Sequence, residues 1–416
     1  MSPARLGRLK PAATIAFMLL ATAAWTQNGE VIRSEKQAFR FEVVATGLEV
    51  PWGLEFLPDG RLLISERPGR LRLLADGRLS EPVSGTPAAH VRQDGGYLDV
   101  TVHPNYAQNG WVYLAYSEVQ PGFTPPPPAQ APPPPPAGRR GRGRGPQIPS
   151  NTVVVRGRID QDHRWVDQKV IFRAPTALYS PSGAHFGLRF TWDRQGHLFY
   201  SIGDRGRLES AQDLSNPHGK VHRVNDDGSA PQDNPFVTTP GALATIWSYG
   251  HRNPQGFAWD PVSGALWSSE HGPTGGDEVN VIERGRNYGW GVITMGRQGG
   301  ITERAREGME QPIAHYTPPL GPSGMAFYTG TRYAGWRNTS LFLCALIGEQ
   351  LRRLEVNGSE ITHQEVVFAD QGRVRDVVQG PDGYLYVALQ APTGGGTGVP
   401  LSASTPGAIV RLVPVE

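Results

Sequence analysis

Six times along the chain, a short run of alternating apolar residues meets a turn of the D-x-x-G or P-D-G kind and is followed by a second such run. This internal repeat limits the fold more than any other feature. The units are GLEFLPDGRLLISE from Gly53, LDVTVHPNYAQNGWVYLAY from Leu98, LRFTWDRQGHLFYSIGD from Leu188, GFAWDPVSGALWSSEHG from Gly256, GMAFYTGTRYAGWRNTSLFLCAL from Gly324 and VRDVVQGPDGYLYVALQ from Val374. Period-two patterning on both sides of a tight turn is the signal of a β-hairpin, and the spacing between units leaves room for two further strands. The expected fold is all-β: a six-bladed β-propeller of four-stranded antiparallel sheets, whose radial arrangement protects the sheet edges and brings loops from every blade to one axis. A pair of β-sandwiches gives no reason for six similar units, and a parallel β-helix demands shorter, more regular repeats.

Composition agrees. Fifty-two glycines and 38 prolines against five methionines favour many turns and short elements over long helical bundles. With 38% hydrophobic and 19% charged positions, the chain is neither a disordered tail nor a multi-span membrane protein. The single cysteine, Cys344, excludes an intrachain disulfide, a cysteine-ligated zinc site and an iron–sulfur cluster, and its setting in LFLC is that of a small buried hydrophobe.

Residues 1–24 read as a secretory signal peptide: Arg5, Arg8 and Lys10 precede an apolar stretch from Ala12 to Ala24 that is too short to span a bilayer, and Ala21, Ala23 and Ala24 offer a cleavage site. An uncleaved anchor is the alternative. The expected mature protein is a single propeller over residues 25–416, periplasmic or secreted, with no stable membrane insertion. Within it, residues 121–149 form a Pro/Gly/Arg-rich insertion in which 12 of 29 residues are proline, a disordered surface loop. Setting aside the three basic residues of the leader and the four arginines of the insertion leaves 33 basic against 38 acidic residues, a mildly acidic body with no footprint for nucleic acid.

Residues flanking the repeated hairpins of a propeller converge on one axial mouth. His185 precedes the hairpin that ends at Ile202-Gly203-Asp204, so the chain runs out and back, returning an imidazole and a carboxylate to the same rim. A carboxylate on one ring nitrogen fixes the tautomer and raises the basicity of the other, which suits removal of a hydroxyl proton; a structural His–Asp hydrogen bond is the plainer alternative. The run from His251 to Gln255 packs a fixed cation and two amides into one turn, as a planar anionic ligand requires or as a salt-bridged blade corner would. The loop from His271 to Glu278 is glycine-rich and acidic, and its carbonyls and carboxylates suit calcium, although not in EF-hand spacing.

The strings SYGHRNPQG, EHGPTGGDEVNVIERGRNYGW, HFGLRF with IGDRG, and GRVRDVVQGPDG resemble the soluble quinoprotein sugar dehydrogenases, which include glucose, aldose sugar and sorbosone dehydrogenase-like proteins. The resemblance covers nearly the whole mature chain outside the insertion. It implies pyrroloquinoline quinone (PQQ) and calcium as cofactors, and oxidation of the anomeric C1 hydroxyl of an aldose to a lactone by hydride transfer to the quinone. It also implies an external electron acceptor and a monomer or homodimer. By that resemblance His185 is the general base and Asp204 its partner, while Arg252, Asn253, Arg373 and Arg375 contact the quinone. Asp94 in QDGGYLD, or Gln93 before it, stands beside the cofactor. The carbonyls of Gly272 and Pro273 match holders of the cofactor's calcium, and Glu278 and Tyr288 match a second, structural calcium site. Ile347 stands where glucose dehydrogenase has a cofactor-binding lysine.

Two rival functions share the fold: a calcium-dependent lactonase, in which metal-bound water attacks an ester, and a non-catalytic propeller that binds a glycan or a protein. A tricarboxylated quinone explains three guanidiniums where a neutral lactone does not, and the His185–Asp204 pair argues against a purely binding role.

Overall fold

In the computed structural model, which describes residues 29–124, 147–394 and 397–415, six antiparallel sheets stand around one axis. Their innermost strands are Pro51–Phe56, Tyr97–Val102, Phe190–Trp192, Pro254–Trp259, Pro322–Phe327 and Arg373–Gln379. Each touches the next, and the last returns to the first, so the six-bladed propeller is a closed ring. Each repeated unit of the sequence is the inner hairpin of one blade. The turns are held as their residues dictate: Asp193 Oδ1 accepts from the N–H groups of Gln195 and His197, while Gly196 takes the positive φ of 85° that closes the loop.

The ring is closed by chain ends. Ala38–Glu49 pairs antiparallel with Pro406–Pro414, from Phe39 opposite Pro414 to Glu49 opposite Pro406, so an N-terminal strand completes the last blade. Five blades have four strands. The closing blade has a fifth, the two-residue strand Ile32–Arg33, where four were expected.

Blades pack face to face, so their middle strands are covered on both sides and read as continuous apolar runs. Val153, Val154 and Val155 are buried, as are Leu341 to Ala345 with Cys344 among them. Aromatic residues fill the wedge between the outer parts of the last two blades, where Tyr328, Tyr333, Trp336 and Phe342 pack with Val387, Val410 and Leu412.

Residues 1–28, which include the expected leader, and residues 125–146 of the expected insertion lie outside the described residues. The strands on either side of the insertion, Val112–Val119 and Ser150–Ile159, pair in unbroken register, and the N–H of Gln120 donates to Pro149 O across its base. Among the described residues no helix is long and apolar enough to cross a membrane.

Alternation of strand direction positions the site. Residues just before the first strand and just after the second strand of every blade lie at one end of the axis, opposite the hairpin turns. Six such junctions converge there.

Candidate active site

His185 and Asp204 flank the inner hairpin of the third blade, and His185 Nδ1 lies 2.6 Å from Asp204 Oδ1. An ionised carboxylate only accepts, so Nδ1 carries a proton and donates, and in the neutral form of the ring the lone pair is on Nε2. Nε2 has no hydrogen-bond partner among the described residues. Burial alone raises the Asp204 carboxyl. The His185 hydrogen bond and charge, the Gly206 N–H and the Trp290 N–H outweigh burial and hold it below the usual carboxylate range.

The His185 loop is tied from several sides. His185 itself has φ of 56°, a left-handed conformation that a non-glycine residue adopts only when its surroundings impose it. Arg205 lies over the Phe186 ring and donates to the carbonyls of Ala184 and Ser182. Asn253 Oδ1 accepts from Gly187 N–H at 3.0 Å, and a Cβ on Gly203 would strike the His185 carbonyl. Asn253 therefore spends its side-chain oxygen on the base loop.

Beside this loop opens a cavity with about 620 Å³ of empty space including its mouth, lined by Arg67, Asp94, Gln255, His271, Arg373 and Arg375, with Trp52, Leu346, Ile347 and Leu401 completing the wall. Three guanidiniums face one carboxylate. Burial pushes Arg373 down to about 10 and Arg375 well below the usual arginine value, with the neighbouring positive charges adding to the effect at Arg375. Nε of Arg67, Nε and Nη1 of Arg373 and Nε of Arg375 are buried and have no hydrogen-bond partners among the described residues. Orphaned cationic donors around a cavity are the counterpart of a bound polyanion, so a planar tricarboxylate fits this donor set. Asp94 lines the cavity, whereas the Gln93 amide lies against the Gly183 backbone of the base loop.

His271 lines this cavity and a second, smaller one, formed with Arg252, Glu270, Gly272, Pro273, Gly276, Glu278, Tyr288 and Trp290. Its ring is pushed down to about 3 by burial and by the charges of Arg252, Arg375 and His185. Arg252 donates from its side chain to His271 O at 3.0 Å, and its Nε is unpartnered. Asp277 shapes the loop, accepting from Gly272 N–H at one oxygen and from Leu320 and Gly321 N–H at the other. Glu270 accepts from His251 Nδ1 and from the Arg252 main-chain N–H, whereas Glu278 has, among the described residues, only Asn280 Nδ2 at 3.2 Å. Burial and the charge of Glu270 push Glu278 up to about 8. Among the described residues no three His, Cys, Asp or Glu side chains cluster as a metal site. The donors that suit a hard cation here are main-chain carbonyls with the under-compensated, half-buried carboxylate of Glu278. The Tyr288 hydroxyl donates to Val281 O and accepts from Glu283 N–H, so what Tyr288 presents to the cavity is its ring and main chain.

Sequence reasoning passed over Arg67, gave no individual role to Glu270, His271 or Trp290 within the strings it singled out, and took Gln255 only as the second amide of its turn. Arg67 and His271 sit just after the second strand of their blades and Glu270 ends one, at the same junction that singled out Asp204, and that positional rule would have found them.

Residues 48–396 match the model of the family described as Glucose / Sorbosone dehydrogenase. The chain is 38% identical over 390 residues to aldose sugar dehydrogenase YliI of Escherichia coli, covering 91% of this chain and 95% of that protein. It is 25% identical over 446 residues to quinoprotein glucose dehydrogenase B of Acinetobacter calcoaceticus, covering 87% of each. The PQQ-bound form of an aldose sugar dehydrogenase from Streptomyces coelicolor superposes with a TM-score of 0.64 at 26% identity, over 90% of this chain and 98% of that one. Closed ring, arginine-lined cavity and sequence match together make this chain a member of the glucose/sorbosone dehydrogenase family.

Proposed function

We propose that this protein is an exported, PQQ- and calcium-dependent dehydrogenase that oxidises the C1 hydroxyl of aldose sugars to lactones. The observation that carries the reading is the set of unpartnered guanidinium nitrogens of Arg67, Arg373 and Arg375 around one cavity, with the His185–Asp204 pair on the adjoining loop. The family membership and the PQQ-bound relative support it, and the leader-like N-terminus supports export. When bound, PQQ supplies a two-electron acceptor for the hydride leaving C1.

The residues of the chain do the rest. Arg67, Arg373 and Arg375 would hold the carboxylates of the cofactor, and Arg252 would add a cation beside it. The carbonyls of Gly272 and Pro273 would hold the cofactor's calcium, while Glu278 and the main chain of Tyr288 would hold a second. His185 Nε2 takes the proton of the C1 hydroxyl, and Asp204 fixes the required tautomer and stabilises the imidazolium that results. The deep burial of the arginines keeps water from screening their charges.

The experiment is reconstitution. Dye reduction that depends on an aldose and needs both PQQ and calcium is expected; activity with a nicotinamide cofactor, or none with any aldose after verified PQQ binding, rejects the proposal.

A further inference from the structure

Trp290 ends the run NYGW and is only 6% exposed. Its main chain is pinned on both sides: its N–H donates to Gly250 O at 2.8 Å and its carbonyl accepts from Gln212 Nε2 at 2.9 Å. The indole N–H donates to Asp204 Oδ2 at 2.6 Å, and the Arg252 guanidinium lies over the ring at 5.2 Å from its centroid. One rigid side chain thus touches both the carboxylate that orients His185 and a cation assigned to the cofactor.

The two oxygens of Asp204 are not equivalent. Oδ1 accepts from His185 and from Gly206 N–H, whereas Oδ2 has Trp290 as its donor. Asp204 is almost wholly buried, so without the indole N–H one carboxylate oxygen has neither water nor protein to satisfy it, and the plane of the carboxylate is free to turn away from the His185 N–H. We propose that Trp290 is a positioning residue, whose N–H locks Asp204 in the orientation that leaves His185 Nε2 free as the base and whose ring face seats Arg252. This rests on the dehydrogenase reading above and adds a residue that acts through Asp204 and Arg252 without touching the sugar.

Trp290→Phe keeps a ring beneath Arg252 and removes only the N–H, whereas Trp290→Leu removes both. In protein without cofactor, the proton between His185 and Asp204 gives a far-downfield NMR resonance, recognised by its loss in Asp204→Asn. The expected result is that Trp290→Phe shifts or broadens this resonance. In holoprotein the same variant lowers kcat about tenfold and leaves PQQ affinity within about threefold of wild type, while Trp290→Leu loses PQQ affinity as well. A Trp290→Phe protein with wild-type resonance and wild-type kcat overturns the proposal. So does a lowered melting temperature with an unmoved resonance, which makes the indole structural only. Because the resonance is read without cofactor or sugar, failure of PQQ to bind refutes the dehydrogenase reading and leaves this test standing.

Discussion

Glu278 faces Glu270 directly across the second and third strands of the fourth blade, Leu266–Glu270 and Asp277–Ile282; Glu270 is buried, and Glu278 is half-buried at the wall of the smaller cavity. Glu270 is satisfied by His251 and the Arg252 N–H, so the unmet charge is that of Glu278. A carboxyl raised from 4.5 to about 8 by burial takes up a proton on folding, so the metal-free protein loses stability as pH climbs from 4.5 towards 8. Calcium held by Glu278 as proposed, binding only the folded form, would offset that loss. Chelation is expected to lower the melting temperature more at pH 8 than at pH 6. Glu278→Gln should raise the metal-free melting temperature at pH 8 and blunt the response to calcium; an undiminished calcium response in that variant contradicts the assignment.

Ile347 is 50% exposed on the wall of the arginine-lined cavity, with its N–H donating to Leu320 O. A lysine there has water for its ammonium, so the penalty of burying an unpaired charge does not arise. Ile347→Lys is expected to tighten PQQ binding about three- to tenfold through charge complementarity, with little change in melting temperature. Quenching of tryptophan fluorescence on titration with PQQ measures it, since Trp52 lines the same cavity. Weaker binding together with a lower melting temperature would place the side chain in the packing instead.

The insertion leaves and re-enters the second blade through paired strands whose base is already closed by the Gln120–Pro149 bond. Deleting Gln130 to Arg144 therefore removes none of the described contacts of the blade. Melting temperature and turnover close to those of the full chain are expected, and a large drop in either shows that the segment serves the body.

His185 Nε2 is the one ring position of the pair without a protein partner among the described residues. His185→Ala should cut kcat by about 10²–10⁴-fold while PQQ affinity holds, and Asp204→Asn should act in the same direction through the tautomer. Steady-state kinetics beside a cofactor titration separate the two quantities. Unchanged turnover in His185→Ala would make the pair structural.

The inner hairpins were legible because their information is local: alternating apolar residues around an Asp- and Gly-bearing turn such as Asp193–Gly196 need no distant partner to be recognised. The outer strands were not. Arg78–Leu79 is two residues long and Ala314–Tyr316 three, too short for any periodicity, and each is a strand only because a longer neighbour offers it an edge. The closing strand Ala38–Glu49 is set by a partner more than 350 residues away. Within the site, His185 and Asp204 were legible because they bracket one hairpin. Trp290 was not, since it is an ordinary residue locally and gains its neighbours only when the ring closes, and Arg67 carries only the positional signal of its strand-end junction. Ile347 was legible as a departure, and its exposure at the cavity wall comes from the turn at Gly348.

The most direct test of the account mixes protein loaded with PQQ and calcium with an aldose deuterated at C1, without oxygen or dye, and follows the quinone absorbance in a single turnover. Bleaching with one lactone formed per cofactor is expected, slowed several-fold by deuterium at C1 because that C–H bond breaks to release the hydride. No bleaching with any aldose, or lactone hydrolysis in place of lactone formation, would contradict it.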